Sequence, residues 1–361
     1  MIRQLKKITG QMVAGANVAT IFIMLLIGFS YYVNPVRHSN IANIGLAFPV
    51  FLLLNFGFLV FWLIFKPKWA LIPFFGYVVC YVPVRTYIPI NVSHDAPEGS
   101  IKILSYNVQR FVTWSYPGGK DNPILKYLIG QNPDIICLQE TVVDEERSKV
   151  VIDSVLSAKY PYKKIADKGD NSNSISIYSK YPIIAHRRIW YESAYNLSVA
   201  YKIKIAGDTI LVINNHLETT GLSLEDREQF GSLVRGDLSA HQTKVESHRI
   251  INQLGDACRK RAPQADAVAD FIKQNSHYSI ICCGDFNDSP LSYTHHTVSK
   301  NLKDCYVESG NGPGISYHHS KFYVRIDNIL CSKDWTSYGC KVDSKIGVSD
   351  HYPIYCWLKK R

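Results

Sequence analysis

Apolar residues crowd the first quarter of the chain and then thin into strand-length runs. Residues 12–33 form a run long enough to cross a bilayer as a helix, which takes about 20 residues. A short polar link with Arg37 and His38 follows, and a second run covers residues 44–65 before closing on Lys66-Pro67-Lys68. A third run, 69–90, is interrupted by Pro73, Pro83 and Arg85. Residues 91–100 are polar and rich in turn formers, which predicts a linker and domain boundary there. Beyond it, apolar strand patterns alternate with helical ones and then dominate. Strands are expected at 101–108, 134–139, 174–178, 183–189, 197–205, 209–215, 279–283, 322–330, 340–346 and 353–358. Helices are expected at 122–130 and 147–158, and within the long polar stretch 222–274. Such alternation predicts a layered α/β domain over 101–361, behind a transmembrane anchor over 1–90.

The first run is too long for a signal peptide, shows no small-residue cleavage site and is followed at once by a second run, so an anchor is expected. The positive-inside bias puts Arg3, Lys6, Lys7, Lys66 and Lys68 in the cytoplasm. With three spans, everything after residue 91 then lies outside, which for a bacterial inner-membrane protein is the periplasm. Two spans would leave it in the cytoplasm, and three are expected. No acidic residue inside the runs suggests transport.

Charge changes this picture little. The net charge is +10, and the first 100 residues carry seven Lys or Arg against two Asp or Glu. The remainder is mildly basic, which permits a polyanionic substrate without requiring one. The nine cysteines form no CxxC pair and no zinc-like spacing. Cys282 and Cys283 are expected as small buried residues. Cys305, Cys331, Cys340 and Cys356 have an opportunity to pair only if the domain is extracytoplasmic.

Candidate chemistry gathers at strand ends. The apolar run 278–283 leads into Gly284-Asp285-Phe286-Asn287-Asp288. Residues two apart in an extended segment share a side, so the Asp285 carboxylate and Asn287 amide would face one pocket. A plain Gly-Asp-Asn turn is the other reading. Asn107, Glu140, His216, Asp350 and His351 also sit at or near ends of apolar strands. Each alone fits a cap or turn; so many together mark a site where strand ends meet loops. His318 and His319, ahead of the strand carrying Asp327, offer a less favoured second metal site. The stretch 219–264 mixes Arg227, Arg235, Lys244, Arg249, Arg259, Lys260 and Arg261 with Glu225, Asp226, Glu228, Asp237 and Glu246. It reads as a solvated helical pair, or as a lid recruiting an anionic substrate or headgroup, with Arg261 and Gln264 the residues to test.

The ordered set Ser105-Tyr106-Asn107, Leu138-Gln139-Glu140, Asn215-His216-Leu217, Gly284-Asp285-Phe286-Asn287, Arg325-Ile326-Asp327 and Ser349-Asp350-His351 resembles the endonuclease/exonuclease/phosphatase superfamily. That group includes pancreatic-type deoxyribonucleases, abasic-site endonucleases, neutral sphingomyelinases and inositol-polyphosphate phosphatases. The resemblance covers 101–358 and implies a four-layered α/β sandwich of two packed sheets flanked by helices. It implies Glu140 as principal Mg²⁺ ligand, with Asn107 and Asp350, and Mn²⁺ as a substitute. It further implies that Asp327 orients His351, which serves as base or phosphoryl stabiliser. Asp285 would align or deprotonate the nucleophile, and Asn287 and His216 would donate to non-bridging oxygens. The implied activity is a metal-dependent attack of water on a phosphoester, in nucleic acid or in a lipid headgroup. A catalytically inactive, membrane-tethered binding module of the same fold is the alternative.

Overall fold

The computed structural model describes residues 2–119, 121–169, 173–221, 226, 240–319 and 322–361. Helix α1 (Ile2–Gly28) is followed by α2 (Pro35–Ala42), α3 (Phe48–Phe65), α4 (Leu71–Val79) and α5 (Tyr81–Tyr87). Two helical stretches, Gln4–Tyr32 and Pro35–Phe65, are long and apolar enough to cross a membrane; α4 and α5 would make a third crossing only as one span bent by 73°. The bend falls at Cys80, in the run that Pro73 and Pro83 interrupt. Leu53, Leu63, Phe74 and many other large apolar side chains face outward from these helices. Polar contacts tie the helices together inside: Asn17 Nδ2 donates to Asn55 Oδ1 at 3.2 Å, Trp62 Nε1 to Asn17 Oδ1 at 3.3 Å, and Asn55 Nδ2 to the Pro73 carbonyl at 3.0 Å.

Two six-stranded sheets follow. Their strands are β1 (Ile101–Asn107), β2 (Ile135–Gln139), β3 (Tyr162–Ala166), β4 (Ile175–Ser179), β5 (Ile183–Ile189), β6 (Leu197–Ile205), β7 (Asp208–His216), β8 (Ser279–Asp285), β9 (Lys303–Asp304), β10 (Asp327–Cys331), β11 (Trp335–Val342) and β12 (Ile354–Lys360). One sheet has the order β11-β12-β1-β2-β4-β3 and the other β5-β6-β7-β8-β10-β9. Each contains a parallel pair, β1·β2 or β7·β8, flanked by an antiparallel strand, β12 or β10.

Side-chain parity builds the layers. Ile101, Ile103, Ile135 and Cys137 from one sheet pack against Val212, Ile281, Cys283 and Ile329 from the other. The opposite parity, Leu104, Tyr106, Ile136 and Leu138, packs under α6 (Pro123–Gln131) and α7 (Glu146–Ser157). Across the molecule, Ile280, Cys282 and Leu211 pack under α8 (Ala240–Gln274) and α9 (Tyr293–Ser299). The result is a four-layered sandwich, helices–sheet–sheet–helices. Truncating one of these buried aliphatics to Ala typically costs about 2–5 kcal/mol.

Several elements differ from expectation. Asn122 is the N-cap of α6, accepting from the Ile124 and Leu125 amides, not part of the helix. Strand β3 was not anticipated, because its Tyr162, Lys163, Lys164 and Ile165 are all exposed on a sheet edge and show no apolar alternation. The strand expected at 322–330 begins only at Asp327; upstream, Tyr317 and Val324 bridge each other and fold the chain back as a loop. The strand expected at 340–346 is β11, ending at Val342 after a bulge between Tyr338 and Lys341. Of the long polar stretch, 222–225 and 227–239 lie outside the described residues, Arg227, Arg235, Glu225, Glu228 and Asp237 among them; the side chain of Lys244 does too. All nine cysteines are buried and free.

Candidate active site

The inner-face parity that builds the core also builds the site. Following Ile101 and Ile103 inward, the same face ends in Asn107; following Ile281 and Cys283, it ends in Asp285; following Ile210 and Val212, in His216. Asp327 opens β10 directly opposite Asp285 in register. Because both parallel pairs point to the same end of the sandwich, these polar termini converge. Contacts between the two sheets gather there. Asn107 Nδ2 donates to Asp285 Oδ2 at 3.1 Å. His216 Nε2 lies 3.7 Å from Glu140 Oε1. His351 Nδ1 lies 2.8 Å from Asp327 Oδ2.

Two left-handed residues aim side chains inward. Glu140 follows β2 with φ 54°, and Asn107 Nδ2 also donates to its Oε1 at 3.2 Å. Asn287, with φ 53°, has its amide N–H on Asp285 Oδ1 at 2.8 Å and its Nδ2 on the Leu217 carbonyl at 2.9 Å. Asp285 and Asn287 therefore share the pocket through a turn rather than through strand alternation, since β8 stops at Asp285. Gly284 makes the close approach possible: its φ is +129°, and a Cβ there would sit 2.0 Å from the Asn215 carbonyl oxygen. Ser349 Oγ holds the opposite rim by donating to the Asn107 carbonyl at 2.8 Å, which fixes Asp350 and His351 beside it.

Glu140, Asp285, Asn287, Asp350 and His351 line one cavity of about 100 Å³ with Thr219, Thr220, Tyr317, Phe322, Val324 and Ile326. Asn107, His216 and Asp327 support it from beneath and are nearly fully buried. Electrostatics differ sharply within this small space. Burial raises the Asp285 carboxyl to about 6, with neighbouring Asp327 adding to the effect and His351 opposing it. Burial, then the like charge of Asp350, raises Glu140. Burial lowers His216, whose Nδ1 has no partner among the described residues. Burial also disfavours charge on His351, but Asp327 and Asp285 outweigh it and hold that imidazole well above its usual range. Asp285, Asp327 and His351 bring their ligand-type atoms within 4.8 Å of one another. Asp327 and His351 bond each other, and Asp285 Oδ2 stands 3.7 Å from His351 Nε2 on the other side of the ring.

A polar layer under the site escaped the sequence reading. Gln139 Nε2 donates to Asn214 Oδ1 at 2.7 Å, and Asn214 Nδ2 to the carbonyls of Leu138 and Ser176, both at 3.1 Å. The available signal was a Gln and an Asn on the apolar inner parity of β2 and β7. His318 stacks on Tyr352 at 3.7 Å, and neither it nor His319 joins a ligand cluster among the described residues. Arg261 and Gln264 are buried and bonded inward rather than held out toward an anionic substrate.

Comparison with known proteins defines the class. Residues 104–351 match the model of the endonuclease/exonuclease/phosphatase family, and the chain belongs to that family. Residues 10–87 match a family described as a domain of unknown function. A search of curated proteins finds no match. Among solved structures, TDP2 of D. rerio in complex with a single-strand DNA product superposes with TM-score 0.52 at 15% identity, covering 73% of this chain and 100% of that one. Sphingomyelinase C of Streptomyces griseocarneus superposes with TM-score 0.50 at 14% identity, covering 73% and 99%. A mannosyl-6-phosphatase of Bacteroides thetaiotaomicron gives 0.50 at 17% identity, covering 72% and 100%. At these identities the likeness is one of fold.

Proposed function

We propose that this chain is a membrane-anchored, Mg²⁺-dependent phosphoesterase that hydrolyses a phosphoester at the membrane surface. The observation that carries the reading is the convergence, across both sheets, of the Asp327–His351 pair, Asp285 and His216 on Glu140 and Asn107 around one cavity. Glu140 and Asp350 would supply hard oxygen donors suited to Mg²⁺, with Mn²⁺ as a substitute, and Asn107, whose Nδ2 faces Glu140, would join them by turning its amide oxygen inward. Burial, then the like charge of Asp350, raises the Glu140 carboxyl, and a cation beside both carboxylates would relieve that. When bound, the ion neutralises charge building on the phosphoryl oxygens.

The chain's own groups divide the remaining work. Asp327 fixes the His351 ring through Nδ1 and leaves Nε2 facing Asp285, 3.7 Å from its Oδ2. Asp285 is placed to orient the attacking water and take its proton. His351 Nε2–H and one amide hydrogen of Asn287 would donate to non-bridging oxygens as negative charge grows. His216 Nε2, 3.7 Å from both Asp285 and Glu140, buttresses the floor of the site and supplies a further donor.

The anchor bears on the substrate. Arg325, between cavity-lining Val324 and Ile326, donates through Nη2 to the Thr86 carbonyl at the end of α5. The site's wall is thus continuous with the point where the chain leaves the apolar helices, which favours a lipid headgroup over nucleic acid. The same geometry supports the expected topology. Tyr31, after α1, stacks on His296 at 4.4 Å, whereas the Lys66 ammonium lies against Gly10 near the other end of α1. Three passes would put the catalytic domain opposite Lys6, Lys7, Lys66 and Lys68, outside the cytoplasm and periplasmic in a bacterium.

The test uses the full chain in lipid nanodiscs with Mg²⁺ and a panel of sphingomyelin vesicles, phosphoinositide vesicles, single-stranded DNA and supercoiled plasmid. Headgroup release that disappears in His351→Ala and Glu140→Ala is expected. Plasmid nicking instead would make it a tethered nuclease, and a folded protein with no turnover would leave a binding module.

A further inference from the structure

Helix α8 passes beneath the site and offers it a guanidinium. Arg261 is only 1% exposed, a rare place for arginine unless every nitrogen is used. Here three nitrogens reach three partners, two on other segments and one on α8 itself. Nε donates to Asp288 Oδ2 at 3.3 Å, Nη1 to the Glu218 carbonyl at 3.0 Å, and Nη2 to Cys258 Sγ at 3.1 Å. Glu218 lies two residues beyond His216, and Asp288 directly follows Asn287. Both active-site loops are therefore held by one side chain.

The surroundings reinforce the tie. Gln264, one turn along α8, accepts from the Glu218 amide at 2.8 Å and donates to the Glu192 carbonyl at 2.9 Å. Asp288 also receives Thr294 Oγ1 at 2.8 Å, so its carboxylate is aimed from two sides. In the other direction, the Cys258 thiol donates to Asn43 Oδ1 at 2.8 Å, on the membrane-side loop, the short helical turn that joins α2 to α3. Arg259 Nη2 donates to Ser39 Oγ at 3.0 Å, and Leu46 packs on Ile250 and Leu254. A path of bonds thus runs from the membrane-side loop to Asp288 and Glu218, in the loops that follow Asp285 and His216.

We propose that Arg261 is a positioning residue of the active site: it clamps the His216 loop to the Asp285–Asn287 loop and hangs both on the membrane-side loop through Cys258 and Asn43. The assignment rests on the reading of His216, Asp285 and Asn287 as catalytic groups. Only arginine suits the position, because its planar fork presents donors in three fixed directions. A lysine ammonium is a single point and cannot span the three partners. Pro263, two residues on, lacks the N–H that would bond the Arg259 carbonyl.

The experiment is hydrogen-exchange mass spectrometry on the full chain in nanodiscs, with Arg261→Met, Arg261→Lys and Asn43→Ala. In Arg261→Met, exchange rises about tenfold or more in peptides spanning 216–221 and 285–292, while peptides of β1 and β2 stay at the wild-type rate. Arg261→Lys falls between, and Asn43→Ala gives a smaller rise in the same two peptides. Alongside, Mg²⁺-dependent hydrolysis of bis(4-nitrophenyl) phosphate loses about 10–100-fold in kcat with KM within about threefold, as expected when groups are displaced rather than removed. Should Arg261→Met fail to fold, Arg261→Lys and Asn43→Ala carry the test. Unchanged exchange in both loops, or an equal rise across both sheets, overturns the proposal. If the wild-type protein hydrolyses nothing while the two-loop pattern appears, the phosphoesterase reading fails and the clamp stands.

Discussion

His351 Nδ1 and Asp327 Oδ2 are 2.8 Å apart, and their bond crosses from one sheet of the sandwich to the other. His351 stands just ahead of β12, and Asp327 begins β10. Neither sheet alone holds the pair. Asp327→Asn keeps the shape but removes the charge that fixes the ring. We expect kcat to fall about 10²–10⁴-fold in Asp327→Asn and in His351→Ala, with the double variant no worse than the poorer single one. Steady-state kinetics beside thermal melts check this; additive losses would separate the two residues' roles.

Gly284→Ala should be structurally severe. The added Cβ meets the Asn215 carbonyl at 2.0 Å, and the backbone stands at a φ that L-residues avoid. A loss on the order of 3 kcal/mol or more is expected, read as a lowered denaturation midpoint. Near-wild-type stability would mean that β7 and β8 separate easily at this point.

Chelation should abolish turnover, and Mg²⁺ should restore it. In Glu140→Gln the oxygen donor remains but its charge is lost, so half-saturation by Mg²⁺ should rise at least about tenfold while the fold persists. Titration calorimetry measures this independently of substrate; an unchanged affinity would remove Glu140 from the ligand set.

Stability should fall in acid partly through Asp304. This buried carboxylate caps α10 (Cys305–Ser309), accepting from the Tyr306 amide at 2.8 Å and the Val307 amide at 3.2 Å, and pairs with His295 Nε2 at 2.9 Å. Burial pushes its carboxyl up, but these partners outweigh it and hold it below the ordinary 3.8. A depressed carboxyl stabilises the fold fully above the unfolded value and loses that contribution as pH falls through the folded one. Asp304→Ala should therefore cost about 2–4 kcal/mol at pH 7, with the gap to wild type closing below about pH 4. Denaturant melts across that range check the sign.

A reporter fused after residue 95 tests the topology. Activity of a reporter that works only outside the cytoplasm is expected, following three passes. Activity of a cytoplasm-only reporter would mean that α4 and α5 do not cross.

The sequence by itself determined what depends on local period. Apolar runs of helical length mark the helices long and apolar enough to cross a membrane, and strand-length runs mark β1, β2, β4 to β8 and β12. The parity that buries Ile281 and Cys283 also turns Asp285 inward. The polar residues at those strand ends were legible by their number, since each alone fits a cap or turn but so many together mark a site. Tertiary structure decided the rest, because periodicity tells which side of an element is covered but not what covers it. Edge strand β3, exposed throughout, carries no apolar signal. The 322–326 segment reads as a strand yet becomes a wall of the cavity, since its bridge is to Tyr317 and not to a sheet neighbour. Asn287 reaches the pocket through a turn, and Arg261 points into the protein because Asp288 and the Glu218 carbonyl wait there. Above all, only the packing of one sheet on the other brings His351 to Asp327 and Asn107 to Asp285.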